Sequence, residues 1–323
     1  GGRRKGSGLM TGFFNAVAAC LVLVMLMAVG YFMGVKGWMG AAEKRFLSRF
    51  IMNIAVPANC LVGLLNNLNR EDLARAGLQV AAALLGVGVT LLLSMGAASL
   101  LRLPRERWGV FAAMAGMSNT LFIGIPVCTQ LFGEACMPYV MLYYLGNTTF
   151  LQSAGILLVE RSGNRPRQGG GPVQFLTDVL TKPPILGVMA GVALLLLGAD
   201  LPGPVMRFAG YISDTVSPLA LIYCGFIVYE MGLKNLRFLP GLPLMLVMRL
   251  AVAPVICWGC CLLFGVEGLA RDVFLVESAL PVVSQVTVMA GAYGADEEYA
   301  ATGACLSILG CFVTLPILML ILG

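Results

Sequence analysis

The chain has 323 residues, of which 59% are hydrophobic and only 11% are charged, and its mean hydropathy is +0.89. A soluble domain of this size needs more polar surface to face water, so the composition excludes that class and indicates a multi-pass membrane protein. The net charge of +5 is spread over short loops and gives no sign of nucleic-acid binding. There is no histidine, and the ten cysteines lack the spacing of a zinc site. We therefore expect no enzyme, no metal site and no cofactor other than a coupling Na⁺ or H⁺.

The apolar runs are continuous, which favours membrane-spanning helices over the alternating strands of a β-barrel. Residues 1–11 are interpreted as a flexible tail or cloning remnant, with Met10 as the natural start. Ten segments then reach the roughly 20 residues that a span requires. They are approximately 12–33, 46–66, 77–101, 108–131, 136–159, 182–199, 208–230, 239–264, 271–293 and 298–322.

The longest loop is a basic, Gly- and Pro-rich linker at 161–181, which divides the segments five and five. The predicted units are a first repeat at 12–160 and a second at 182–323. Thirteen lysines and arginines lie in the loops on the linker's side of the membrane, against four on the other side. The positive-inside rule therefore predicts a cytoplasmic linker and both termini outside, in a cell or inner membrane. An odd number of spans in each half gives the two halves opposite topology, as inverted repeats require.

Two segments carry a proline near their centre, at Pro126 in segment 4 and Pro281 in segment 9. Proline lacks the N–H of a regular helix and clashes with the carbonyl four residues earlier, and Gly124 loosens the same turn. An unwound turn in hydrocarbon is tolerated only where it is buried in protein or lines a polar cavity. Paired interruptions of this kind are the best sequence indication of a transporter's binding site.

The run Asn119-Thr120-Leu121 followed by Gly124-Ile125-Pro126 resembles the auxin efflux carrier family, which includes bacterial malate and malonate permeases. Shorter runs around Pro57 and Pro281 fit the same pattern, and the resemblance extends over nearly the whole chain. It implies an all-α membrane protein of ten transmembrane helices in two inverted five-helix repeats, with broken helices 4 and 9 crossing. Helices 1, 2, 6 and 7 would form a scaffold, and helices 3–5 and 8–10 a transport core that moves as an elevator. The family also suggests a homodimer through the scaffold.

Broken helices present free N-termini, which carry unpaired N–H groups and a partial positive charge suited to a carboxylate. Neutral amides and hydroxyls nearby could complete such a site at less cost than buried charges. The alternative is that these groups satisfy unwound backbone or link helices. The candidate substrate-binding residues are Asn53, Pro57, Asn59, Asn119, Gly124, Ile125, Pro126, Asn147, Pro281, Val282, Ser284 and Gln285.

Two charged residues fall inside predicted spans, Glu277 in segment 9 and Arg249 in segment 8. Intramembrane charges are functional candidates, so both are assigned to ion coupling, with Glu277 binding Na⁺ or a proton. Related bile-acid symporters place a carboxylate at this point for Na⁺. The alternative is an ion pair between Glu277 and Arg249 that fixes the core helices together.

These patterns predict a secondary transporter of small organic anions, either dicarboxylates or aromatic carboxylates. The alternative is a Na⁺-coupled symporter of bile-acid-like or steroidal anions. An ion channel is less favoured, because an inverted repeat around one central site is typical of alternating access. An intramembrane enzyme is rejected, because the sequence lacks histidine, paired acids within a span and a G-x-S-x-G motif.

Overall fold

The structure, a computed structural model, describes residues 18, 21–67, 76–164, 180–181, 183–232 and 238–322. The predicted tail at 1–11 and most of the predicted linker at 161–181 lie outside these residues. Within them the secondary structure is helical apart from one isolated β-bridge.

The helices are numbered in chain order. The first six are α1 (Leu21–Val35), α2 (Ala41–Phe50, Ile51–Ala55 and Val56–Asn67), α3 (Gly77–Leu100), α4 (Arg105–Gly116), α5 (Thr120–Gly124 and Ile125–Phe132) and α6 (Met137–Phe150, Leu151–Gly155 and Ile156–Ser162). The second six are α7 (Pro183–Leu197), α8 (Gly203–Ser213 and Val216–Met231), α9 (Leu242–Val247, Met248–Val252 and Ala253–Phe264), α10 (Gly268–Ser278), α11 (Gln285–Tyr293) and α12 (Glu297–Leu322).

Five helical stretches are long and apolar enough to cross a membrane, judged by length and composition over the described residues. They are Ala41–Asn66, Gly77–Leu100, Gly203–Glu230, Leu242–Phe264 and Glu297–Leu318. Leu21–Val35 and Pro183–Leu197 are apolar but shorter. Large apolar side chains such as Leu92, Leu100 and Leu263 are exposed on the outer surface, as expected of residues that face lipid. The class of multi-pass, all-α membrane protein is confirmed, whereas the count of ten spans and the inverted repeat stay predictions.

The helices pack in two groups. In the first, α2 lies against α7 and α8, and α1 lies against α8 so closely that a Cβ on Gly30 would overlap the carbonyl of Ile222. In the second, α3 packs on α4, α6 and α9, while α10 packs on α6 and α9. Helices α11 and α12 join the second group. The two groups meet where α11 contacts α2 and α8, where α12 contacts α8, and where α6 contacts α2 and α7. We call these the first and second helix groups.

Small residues allow this close packing, because van der Waals contact rather than water exclusion holds helices together in lipid. Gly109 of α4 approaches the backbone of Leu158 in α6 so closely that a Cβ there would overlap its carbonyl. A Cβ on Gly146 of α6 would lie 3.2 Å from the Cβ of Ala83 in α3.

Prolines inside three helices follow directly on a π-helical turn. The turns Ile51–Ala55, Thr120–Gly124 and Met248–Val252 each end two residues before a proline. A π-turn bonds each N–H to the carbonyl five residues back, so the helix bulges at the place where proline cannot take part in the usual pattern. These prolines are therefore accommodated within continuous helices and do not end them.

Candidate functional site

Two helix interruptions meet in the interior of the protein. Helix α4 ends at Gly116 and α5 begins at Thr120, while α10 ends at Ser278 and α11 begins at Gln285. Between them, Ser118 and Val282 form an antiparallel β-bridge. The Asn119 N–H donates to the carbonyl of Pro281 at 3.0 Å. Segments 4 and 9 are thus interrupted, and their interruptions touch.

The first interruption lies earlier in the chain than the sequence predicted. The expected break was at Gly124 and Pro126, but the chain leaves the helix at Met117, which is extended with φ −120° and ψ 138°. The helix has resumed by Thr120, and Pro126 sits at the start of the stretch Ile125–Phe132. The π-turn before Pro126 accommodates its missing N–H, which is why this proline does not mark the break.

Side chains satisfy the backbone of the interrupted stretches. Asn147 Oδ1 accepts from the Ser118 N–H at 3.1 Å, and Asn147 Nδ2 donates to the Ser118 carbonyl at 2.9 Å. The Val282 N–H donates to Ser307 Oγ at 3.0 Å. Buried peptide groups without partners are strongly unfavourable, so these two side chains hold the unwound segments in place.

A narrow pocket opens beside the crossing. Its walls come from both helix groups and from the start of α5 and α11. The lining residues are Asn59, Ser118, Asn119, Thr120, Tyr144, Asn147, Thr148, Leu151, Gln152, Val216, Ser217, Val283, Ser284 and Gln285. Of the predicted site residues, it brings together Asn59, Asn119, Asn147, Ser284 and Gln285.

No charged side chain of the described residues lines the pocket, but the starts of two helices do. Helix α5 begins at Thr120 and α11 begins at Gln285, and both of these residues line it. Two helix N-termini therefore converge there, and each contributes a partial positive charge. This arrangement is suited to an anion.

Some polar side chains of the pocket already have hydrogen-bond partners in the protein, and others do not. Asn59 Nδ2 donates to Ser213 Oγ at 3.0 Å, and the two side-chain amides of Gln152 and Gln285 bond to each other. The amide of Asn119 and the hydroxyl of Ser284 have no hydrogen-bond partner among the described residues. These two groups are free to bind a ligand.

The other predicted residues with described side chains lie outside this pocket. Asn53 donates to the Arg49 carbonyl at 2.9 Å and lines a different cavity. Pro57 packs against α7, where a Cβ on Gly187 would overlap its backbone. Ile125 does not line the pocket, and Pro281 and Val282 support it through their backbone.

Glu277 and Gly124 lie against each other next to the crossing. Glu277 is fully buried in the last turn of α10, and a Cβ on Gly124 would overlap its carboxylate. Its Oε1 accepts from Cys128 Sγ at 3.5 Å, whereas Oε2 has no partner among the described residues. Glycine is thus required at position 124 by the close approach of a carboxylate.

Arg249 does not pair with Glu277 in the described structure. The residue is 1% exposed, and its guanidinium donates to the carbonyl of Ala115 at 3.3 Å and to that of Ser278. Those carbonyls belong to the C-terminal ends of α4 and α10, which carry partial negative charge. The arginine thus caps the two helices that end at the crossing, while the two that begin there face the pocket.

Several lining residues were missed by the sequence analysis. Thr148 and Gln152 continue the face of α6 that carries Asn147, and Ser217 adjoins a proline in α8. A polar residue every turn within an otherwise apolar span was the signal available for the first two. Ser118 and Thr120 are the neighbours of Asn119 in the sequence, and the sequence analysis did not single them out as binding residues.

A polar pocket between interrupted helices of a multi-pass membrane protein is typical of membrane transport proteins. Residues 15–169 and 173–319 match the membrane transport protein family. The chain therefore belongs to that family, which is the auxin efflux carrier family.

Individual relatives agree with this membership. The chain is 26% identical to an uncharacterized transporter of Methanothermobacter thermautotrophicus, over 96% of this chain and 99% of the relative. It is 24% identical to an uncharacterized transporter of Methanocaldococcus jannaschii, over 87% and 91%. It is also 24% identical to a Rhizobium meliloti protein named "Putative malonate transporter", over 82% of each chain.

Proposed function

We propose that this protein is a secondary transporter of small organic anions, either dicarboxylates or aromatic carboxylates. The observation that carries the proposal is the uncharged pocket at which two helix N-termini converge around the free Asn119 amide. A carboxylate there would accept from backbone N–H groups and from Asn119 without requiring a buried cation.

Malonate is the first candidate substrate, because the name of the Rhizobium relative mentions it. Among the described lining side chains only Leu151, Val216 and Val283 are aliphatic, so these walls offer little apolar surface to a large ring system. This favours a short polar acid over the alternative, a bile-acid-like or steroidal anion carried with Na⁺.

Elevator-type alternating access is the mechanism that we propose, and the packing supports it. Asn59, Val216 and Ser217 belong to the first helix group, which corresponds to the expected scaffold. The other lining residues belong to the expected transport core. A solute held by the core residues could be carried across when the core slides against the scaffold, while the contacts to Asn59, Val216 and Ser217 are exchanged for others.

Glu277 is the residue that we propose for ion coupling. One of its carboxylate oxygens lacks a partner within the described residues, although the side chain is fully buried. A proton or Na⁺ at this point would neutralise a costly buried charge beside the pocket. For Arg249 we propose an indirect part in coupling, in which it fixes the two helix ends that position Glu277.

The proposal is tested by uptake of radiolabelled acids into proteoliposomes that contain the purified protein. The panel comprises malonate, malate, an indole carboxylate and a bile acid, each under a Na⁺ gradient, a proton gradient and a membrane potential. We expect malonate or another small acid to accumulate above empty liposomes. Failure of every acid under every gradient would refute the proposal, and uptake of the bile acid alone would establish the alternative.

The proposed assembly is a homodimer through the first helix group, with both termini outside the cell. Cross-linking in membranes tests the first statement. Labelling of a cysteine introduced next to the C-terminus, with a membrane-impermeant reagent on intact cells, tests the second.

A further inference from the structure

A second, larger pocket lies at the end of the molecule where α2 begins. It encloses about 990 Å³ of free space including its opening. Its basic and polar walls come from residues 44–53 in the first half of α2, and the opposite wall comes from the end of α11 and the start of α12. We call it the basic pocket.

Of the three cationic side chains in this pocket, one is paired with carboxylates and two are not paired with any described residue. Lys44 Nζ lies 2.7 Å from Glu230 and 2.8 Å from Glu297, so its charge is neutralised by two carboxylates. Arg45 and Arg49 form no ion pair with a described residue, although both line the pocket. They are four residues apart on one face of α2, where two like charges repel each other. An anion between them would remove that repulsion.

Other donors surround the same space. Ser48 lies between the two arginines on the pocket wall, and the Asn53 side chain follows one turn later. Two guanidinium groups with a hydroxyl and an amide form a donor set that matches a carboxylate or dicarboxylate, because arginine can bond both oxygens at once.

Helix α11 connects this pocket with the central one. Its first residue, Gln285, lines the central pocket, and its last residue, Tyr293, lines the basic pocket. At a rise of about 1.5 Å per residue, the eight steps from the first to the last of its 9 residues separate the two pockets by about 12 Å along the helix. Both pockets also lie where the first helix group meets the second.

We infer that the basic pocket is a second binding position for the transported carboxylate, at which Arg45 and Arg49 capture the anion before it enters the central site. The inference rests on the proposed function. It adds that Arg45 and Arg49 set the affinity for the carboxylate on the face of the membrane where the basic pocket opens. It also gives Asn53 a place in binding that the central pocket does not provide.

The test uses malonate transport measured separately in inside-out and right-side-out membrane vesicles. Arg45→Gln and Arg49→Gln are each expected to raise the half-saturating malonate concentration about 5-fold on the face that bears the pocket, the scale of a partly exposed charge contact. The opposite face and the maximal rate are expected to stay unchanged. Salt at about 0.5 M should reduce the difference from the parent protein, because the contact is partly screened.

Lys36→Gln is the matched control, because it removes the same charge at the same end of the molecule but outside the pocket. The inference is overturned if the arginine variants behave like this control or if they alter both faces equally. It is also overturned if their effect appears only with anionic lipid, since the arginines would then bind headgroups.

Calorimetric titration of the detergent-solubilised protein with malonate separates this inference from the proposed function. Asn119→Ala, which weakens the central site, should leave a malonate-binding event that disappears when Arg45→Gln and Arg49→Gln are added. If that event is absent, the basic pocket does not bind carboxylate, whatever the transport assay shows. If it is present while no acid is transported, the proposed function fails and the pocket remains.

Discussion

Replacing Asn147 with alanine tests whether this residue supports the crossing or binds substrate. Its side chain bonds both the N–H and the carbonyl of Ser118, at 3.1 and 2.9 Å, in a fully buried environment. Alanine would leave both groups without a partner. An unsatisfied buried polar group costs about 1–3 kcal/mol, so the expected loss of unfolding free energy is about 2–6 kcal/mol.

Thr149→Ala is the matched control for this substitution. Thr149 lies on the same helix and is half-buried, but its hydroxyl bonds only to the carbonyl of Leu145 within the helix. Without the hydroxyl, the Leu145 carbonyl keeps its regular helical hydrogen bond, so the free energy of unfolding should fall by no more than about 0.5–1 kcal/mol. Unfolding in a denaturing detergent measures both variants. Hydrogen exchange of the peptide covering 114–122 should accelerate only in the Asn147 variant.

Two results would refute this reasoning. If Asn147→Ala is no less stable than Thr149→Ala, the two hydrogen bonds do not hold the interrupted segment. If it instead retains stability and exchange protection but loses affinity for malonate, Asn147 is a ligand and not a support.

Three further substitutions test other parts of the crossing. Asn119→Ala should weaken malonate binding about 10-fold, the value of one hydrogen bond to a charged group, without a change in melting temperature; equal affinity by calorimetry would remove it from the site. Gly124→Ala should lower the free energy of unfolding by about 1–3 kcal/mol, because the new Cβ overlaps Glu277. The control is Gly210→Ala in α8, where a Cβ has no neighbour within 4 Å; it should be neutral or slightly stabilising in the same unfolding assay. Arg249→Met should lose about 2–4 kcal/mol by leaving two buried helix ends uncapped. A variant as stable as the parent protein would show that Arg249 does not cap them.

The sequence alone determined the class of the protein and which two of its segments are interrupted. Continuous apolar runs leave helices as the only structure that satisfies the backbone in lipid, so the class follows from composition. The prolines at 126 and 281 indicated the correct segments, because proline cannot take part in a regular helix. They did not locate the first break, since the helix absorbed Pro126 with a π-turn and unwound at Met117 instead.

Only the tertiary structure decided which polar residues face the pocket. Asn147 and Asn119 are both asparagines within apolar spans, so the sequence does not distinguish them. In the structure the Asn147 side chain bonds to the backbone of Ser118, whereas the Asn119 side chain has no partner among the described residues. Arg249 and Glu277 are both intramembrane charges, yet one caps two helix ends and the other lies against Gly124. These differences depend on contacts between segments that are far apart in the chain, and hydrogen-bond partners across such distances cannot be derived from local periodicity.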